Sequence, residues 1–134
     1  MRELLFRGQT RRKGEKVRMD GTPIDSNWVY GGVAQLNEER AMIYQTEPNF
    51  QKFAVYADTV GQYICLKDKN GKKIFEGDIC EYDGYIGVVE FDTDDSMFTF
   101  TYDENIETNF GCIYGAELEV IGNIYDNPEL LKGE

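Results

Sequence analysis

The chain is 134 residues long, enough for one domain or two small ones, and it can bury a core without disulfide or metal staples. Its net charge of −11 is unevenly spread: residues 1–18 carry +5, residues 19–73 carry −1 and residues 74–134 carry −15. Because so acidic a C-terminal half repels a phosphate backbone, only the basic N-terminal segment is left as a nucleic-acid contact.

The cysteines and the lack of long apolar stretches predict the compartment. Cys65, Cys80 and Cys112 are an odd number at wide spacing, which favours reduced thiols over a disulfide framework. No stretch is apolar for long enough to cross a membrane, and the first seven residues do not read as a signal peptide. We therefore expect a cytoplasmic protein that does not associate with membranes.

Aromatic residues and glycines predict a mainly β chain of short strands joined by tight turns. The sequence has nine Tyr, eight Phe and 14 Gly, against only 3 Pro. An exposed turn is expected over residues 8–14, and the Gly31-Gly32 pair is expected to bend a strand. Strands are predicted in the first half over residues 3–7, 16–19, 27–33, 41–44, 50–56 and 60–66.

The segment 67–73 is the clearest turn in the sequence and the predicted boundary between two regions. Its Asn70-Gly71 pair favours a type I′ turn, in which both central residues have positive φ. Composition also changes here, since Lys132 is the only basic residue after this segment. We predict an N-terminal β-rich region over residues 1–66 and a second region over residues 67–134.

The second region is predicted to be an SH3-like small β-barrel. Strands are expected over residues 79–82, 85–91, 97–102 and 117–125. A turn is expected at residues 83–84, and Gly87 predicts a bulge or bend within its strand.

Two further features of the second region concern its core and its end. The alternating row Phe98, Phe100 and Tyr102 is expected to face the core. A short C-terminal helical turn is predicted to begin near Pro128, capped by Asp126 or Asn127, with Leu130 and Leu131 docking it on the barrel.

Two long segments resemble the signature of the YopX family. They read VGQYICLKDKNGKKIFEGDI over residues 60–79 and EVIGNIYDNPELL over residues 119–131. The opening Leu5-Phe6-Arg7-Gly8 is similar to the family's first strand, although Gln9 stands where the family usually has Trp. The resemblance implies a largely β protein of temperate phages and prophages, mainly in Gram-positive bacteria, and hence a protein of a bacterial host cell. The family carries no established enzymatic activity, cofactor or catalytic residue.

The residue types present argue against an enzyme. The sequence has no His, which removes the usual general base and the commonest transition-metal ligand. It also has no P-loop and no dinucleotide fingerprint. Asp92, Asp94 and Asp95 resemble the start of a calcium loop, but Met97 stands where that loop needs Gly. We expect no enzymatic activity and no cofactor, with a carboxylate-metal enzyme as the least favoured alternative.

Candidate binding residues fall into aromatic, basic and acidic groups. Trp28 and Tyr30 share one strand face beside the Gly-Gly bend, and aromatic side chains anchor interfaces as well as cores. The basic residues form either a solvated hairpin tip, a nucleic-acid contact, or a contact to the acidic half of a second copy. The acidic residues flank Gly77, where a carboxylate either caps a turn or has a function. The basic and acidic candidates are Arg11, Arg12, Lys13, Glu76 and Asp78.

These observations predict a non-enzymatic accessory protein of a phage or prophage that binds another protein, from the host or the phage, through an aromatic or acidic surface. The alternative is a nucleic-acid-associated protein that binds through residues 7–18. A variant of that alternative is a DNA mimic, whose acidic half would occupy the DNA site of a host protein.

Overall fold

The computed structural model describes residues 3–14, 19–20, 25–102, 106–109 and 117–131, with residues 106–109 described by their backbone alone. Its contacts divide the chain into unit 1, Met1–Gln62, and unit 2, Tyr63–Glu134. The boundary expected from the sequence, after residue 66, lies four residues later, and the independence of the two halves as domains stays a prediction.

The mainly β class is confirmed, because the regular structure of the described residues consists of antiparallel strands and two short 3₁₀ turns. The 3₁₀ turns cover Ala57–Thr59 and Pro128–Leu131. The strands are β1 (Phe6–Arg11), β2 (Asn27–Gln35), β3 (Arg40–Gln45), β4 (Gln51–Tyr56), β5 (Gly61–Lys67), β6 (Lys73–Phe75), β7 (Asp78–Tyr82), β8 (Tyr85–Asp92), β9 (Met97–Tyr102), β10 (Ile106–Asn109) and β11 (Glu119–Asn123).

Unit 1 is a sheet in the order β4-β3-β2-β1, with the first residues of β5 paired to β1. Its side chains alternate between a core face and the opposite face, as a pleated strand requires. Gly8 brings β1 close to β4, since a Cβ atom there would lie 2.8 Å from Cγ2 of Val55. The core face carries Val29, Val33, Ala41, Ile43, Phe53 and Val55.

Unit 2 holds the rest of β5, which pairs with β6, and a five-stranded sheet in the order β10-β9-β8-β7-β11. Its core joins Ile64, Ile74, Cys80, Val89, Phe100 and Leu118. Among the described residues this sheet has two edges, β10 and β11, so their pairing does not close the predicted SH3-like barrel. The strand β10 was not predicted.

The expectations for the core row and for the C-terminal turn are confirmed in the main. Phe100 is completely buried, and Phe98 and Tyr102 pack against the core of unit 2. The C-terminal turn begins at Pro128 as predicted, but Leu131 remains 43% exposed.

The exposed turn predicted over residues 8–14 is wrong at its start. β1 continues to Arg11, and both Gly8 and Gln9 are buried. The backbone N–H of Gln9 donates to Oγ1 of Thr59, 2.9 Å away, so this part of the chain has a tertiary partner that a surface turn would lack. Of the return strand expected over residues 16–19, residues 16–18 lie outside the described residues.

The type I′ turn expected at Asn70-Gly71 is also wrong. Only Gly71 has positive φ there, and its N–H donates to the carbonyl of Asp68, which makes a turn over residues 68–71. A turn of this kind followed by a left-handed glycine is the common three-residue hairpin connection. The positive-φ pair required for a type I′ turn occurs instead at Asp83-Gly84, between β7 and β8.

Gly87 does not form the expected bulge, because its pairing with both neighbouring strands is regular. A Cβ atom there would lie 2.3 Å from the backbone carbonyl oxygen of Thr101, so the position needs glycine for close approach of the strands.

The two neighbouring glycines of β2 provide a test of unit 1. A Cβ atom at Gly31 would lie 2.0 Å from the carbonyl oxygen of Tyr44, whereas one at Gly32 would meet nothing within 4 Å. We expect Gly31→Ala to lower the free energy of unfolding by about 1–3 kcal/mol, because backbone must move. Gly32→Ala should stay within about 1 kcal/mol of the unsubstituted protein. Urea denaturation of both variants checks this, and equal stabilities would contradict the packing of β2 on β3.

Candidate functional site

The face of unit 1 opposite its core carries aromatic and basic side chains. Cross-strand pairs fix its membership, since Arg40 lies opposite Tyr56, Met42 opposite Ala54 and Tyr44 opposite Lys52. No Asp or Glu occupies a position of this face on β2, β3 or β4. We call it the outer face, and its members are Trp28, Tyr30, Gly32, Ala34, Arg40, Met42, Tyr44, Lys52, Ala54 and Tyr56.

Trp28 and Tyr30 lie on this face as the sequence predicted, at its border with β1. Their cross-strand partners are Gln9 and Arg7. The guanidinium carbon of Arg7 lies 4.6 Å from the centre of the Trp28 ring, a cation–π distance. Arg7 is 5% exposed and Tyr30 is 43% exposed, so this side of the sheet is covered at Arg7 on β1 and becomes accessible to solvent at Tyr30 on β2.

Two arginine side chains lie over the ring of Tyr56. The guanidinium carbons of Arg12 and Arg40 lie 4.2 Å and 4.1 Å from the centre of its ring. Arg12 also donates from Nη2 to both carboxylate oxygens of Asp58, at 2.8 Å and 3.0 Å. A cleft of about 270 Å³ is lined by Arg12, Tyr56 and Asp58 together with Glu38, Glu39 and Arg40. Arg12 is therefore held in place on the surface by an ion pair and a ring together.

Tyr44 and Phe50 form the other aromatic end of the outer face. Their ring centres lie 6.2 Å apart, and Phe50 is 66% exposed although it is fully apolar. Lys52 lies across from Tyr44 and is exposed. This end thus repeats the combination of an aromatic ring with a cation.

The residues of the predicted basic cluster make different contacts. Arg11 ends β1, and its Nε donates to the carbonyl of Asp25, 2.9 Å away. Arg12 lies over Tyr56, as described above, and Lys13 is exposed in the turn that follows β1. Lys16 and Arg18, which complete the basic run, lie outside the described residues.

Glu76 and Asp78 belong to unit 2 and flank the turn between β6 and β7. Asp78 is 1% exposed, and its Oδ2 accepts the backbone N–H of Phe75 at 2.7 Å. Gly77 adopts a φ of 93° in this turn. The geometry supports the turn-cap interpretation of Asp78.

Asp68 is a second buried carboxylate that sequence reasoning did not single out. Its Oδ1 accepts the N–H groups of Asn70 and Lys72 at 2.9 Å and 2.8 Å, and its Oδ2 accepts that of Val120 at 3.0 Å. Burial by itself would raise the pKa of this carboxyl. The three N–H donors, with the nearby charge of Lys72, outweigh that effect and lower its pKa. The available signal was its place in the sequence, two residues before Asn70-Gly71.

The acidic tip between β8 and β9 also serves the local backbone. Oδ1 of Asp92 accepts the N–H groups of Asp94 and Asp95, at 2.9 Å and 3.2 Å. Within the described ranges, no three His, Cys, Asp or Glu side chains are grouped as a metal site would need. None of the helical segments in those ranges has the length and apolar character to span a membrane.

Comparison with known proteins confirms the family that residues 60–79 and 119–131 resemble. The model of the YopX family, described as YopX protein, matches residues 6–132. The chain belongs to the YopX family. This membership spans both units and includes Asp68, Asp78 and all of the outer face.

Two known proteins are similar to this YopX chain over different extents. An uncharacterized protein of Methanocaldococcus jannaschii, MJ0954, is 31% identical over 85 residues. The alignment covers 63% of the YopX chain but only 16% of that much longer relative. The crystal structure of protein EF1440 from Enterococcus faecalis is 21% identical, with a TM-score of 0.49, over 98% of this chain and 99% of the other.

The Asp68 carboxylate gives a pH-dependent prediction. Its pKa is lowered by folding, so its contribution to stability is complete above the ordinary value of 3.8 and is lost as the pH falls through the lower folded pKa. In Asp68→Asn, an amide NH₂ would face the N–H of Val120. We expect a loss of about 1–3 kcal/mol in unfolding free energy at neutral pH.

Urea denaturation between pH 7 and pH 2 measures this difference between Asp68→Asn and the unsubstituted protein. The difference should shrink only at the acid end of the series, below the ordinary pKa of the carboxyl. A difference that is constant at all pH values would contradict the assignment of a buried, ionised Asp68.

Proposed function

We propose that this YopX protein is a non-enzymatic protein-binding module of a phage or prophage, and that the outer face of unit 1 is its working surface. We place it in the cytoplasm of the bacterial host cell, with a partner protein from the host or the phage. The observation that carries the proposal is the exposure of aromatic side chains on this face, with Tyr30 at 43% and the adjoining Phe50 at 66%.

The composition of the outer face supports a protein interface. Aromatic residues and Arg are enriched at the energetic centres of interfaces. Aromatic rings bury much surface at a low cost in side-chain entropy, and Arg adds directional hydrogen bonds. Tyr56 is contacted by two arginines, and one of these is fixed by Asp58. A surface whose side chains are already ordered loses less entropy on binding.

The proposed absence of enzymatic activity and of a cofactor rests on the residues and their engagement. The chain has no His to act as a general base. The most buried carboxylates among the described residues of unit 2, Asp68 and Asp78, accept backbone N–H groups that shape two turns. We also propose that unit 2 is SH3-like, because β7 and β11, the first and last strands of its five-stranded sheet in chain order, are neighbours in that sheet.

A nucleic-acid partner is the second candidate, and one observation favours it. The outer face combines aromatic rings with cations and carries no carboxylate on β2, β3 or β4, which is how sheets bind single strands. Unit 2 weighs against it, because seventeen acidic residues against five basic ones give this unit a charge of −12.

Affinity capture from a phage-infected host cell, with and without nuclease, tests the proposal when variants are included. We expect a specific, nuclease-resistant partner protein whose affinity, measured again with the purified partner, falls about 30-fold in Tyr44→Ala, as for an interface hot spot. Tyr85→Ala is the matched control, because Tyr85 is a 49% exposed tyrosine of unit 2.

Two results would count against the protein-binding function. A partner retained equally by both variants would move the interface away from the outer face. Capture that disappears on nuclease treatment would transfer the function to nucleic acid, and its affinity should then fall steeply with salt.

A further inference from the structure

The outer face presents two cations that have no hydrogen-bond or ion-pair partner among the described residues. The guanidinium of Arg40 contacts the Tyr56 ring but makes no hydrogen bond or ion pair within those ranges. The ammonium of Lys52 likewise makes no hydrogen bond or ion pair there. Arg12 differs, because Asp58 already neutralises it. Arg40 and Lys52 are thus the groups of this face that are ready to receive an anion.

The spacing of these cations is set by strand geometry. Arg40 pairs with Tyr56, and Lys52 pairs with Tyr44, four residues further along β3. At about 3.4 Å per residue, the two pairs are roughly 13 Å apart. The pair of Met42 and Ala54 lies between them, so an apolar step separates two positions that each combine a cation with a ring.

The anions that fit best are two isolated carboxylates. The planar fork of Arg binds carboxylates bidentately, and Lys binds them as a point charge. A nucleic-acid strand presents a continuous row of phosphates, and two cations would neutralise only a small part of that row. The acidic residues Glu38, Glu39 and Asp58 around the cleft beside Arg40 repel any anion, and they repel a row of phosphates more strongly than a single carboxylate.

We infer that the outer face binds an extended acidic segment of a partner protein, in which two carboxylate side chains four residues apart flank an apolar one. In an extended chain, residues i, i+2 and i+4 point to the same side, and the outer two are again roughly 13 Å apart. The carboxylates would meet Arg40 and Lys52, while the apolar side chain would lie on Met42. This inference rests on the proposed function and names the chemistry of the partner.

Synthetic peptides test the inference without a natural partner. A fluorescent peptide with a Glu-Thr-Leu-Thr-Glu centre and neutral ends should bind the full chain, as measured by fluorescence anisotropy. Its counterpart with Gln in place of both Glu should bind at least about tenfold more weakly, because both charge-assisted contacts are lost. A thymidine oligonucleotide of similar length serves as the polyanion probe and should bind more weakly than the acidic peptide.

Two lysine variants locate the binding on the protein. Lys52→Glu should weaken binding of the acidic peptide about tenfold, because it adds repulsion to the lost attraction. Lys67→Glu makes the same charge change at an exposed residue of β5 and should leave binding within about twofold. Arg40→Gln should also weaken binding, provided that its melting temperature shows an intact fold.

Several outcomes would overturn the inference. Equal binding of the Glu and Gln peptides, or equal effects of Lys52→Glu and Lys67→Glu, would remove the carboxylate contacts. Tighter binding of the oligonucleotide would assign the face to nucleic acid. If no peptide binds but the Tyr44-dependent capture succeeds, this inference is wrong and the proposed function stands. If capture fails as well, both are wrong.

Discussion

The antiparallel register of β2, β3 and β4 is the constraint on which unit 1 depends. Ala41 pairs with Val55 on the core face, and the next pair, Arg40 with Tyr56, lies on the outer face. A shift of one residue would exchange the two faces, placing Arg40 in the core and Ile43 in water. The same hydrogen-bond ladder therefore sets both the buried apolar surface that stabilises the sheet and the combination of side chains on the outer face.

Part of the acidity of unit 2 has a structural cause. Asp68 and Asp78 both lie in the segment that first suggested the family, and both are buried carboxylates that accept backbone N–H groups. Each carboxylate accepts backbone N–H groups of a turn that would otherwise have no hydrogen-bond acceptor within the strands. Asp68 also links its turn to β11 through Val120. These two charges are thus unavailable to a partner, whereas the acidic residues exposed at the β8–β9 tip do face solvent.

Local patterns predicted the elements that local chemistry decides. Period-two alternation located most strands, and Asp83-Gly84 marked a true two-residue turn. The failures have tertiary causes. Gly8 suggested a surface turn but lies against Val55, and no nearby residue signals that contact. Arg12 read as part of a solvated tip, yet its carboxylate partner lies 46 residues away. At Asn70 the backbone N–H donates to the Asp68 side chain, in a turn over residues 68–71 in place of the type I′ turn. The turn propensity of Asn-Gly does not include this hydrogen bond.

The charge distribution decides how a binding face can work on so acidic a protein. Unit 1 has nine basic and eight acidic residues, so its net charge is only +1, whereas unit 2 is strongly negative. At physiological salt the Debye length is about 8 Å, so charges farther than this from a bound ligand are largely screened. In the proposed function, short-range contacts at Arg40, Lys52 and the rings would therefore discriminate between partners.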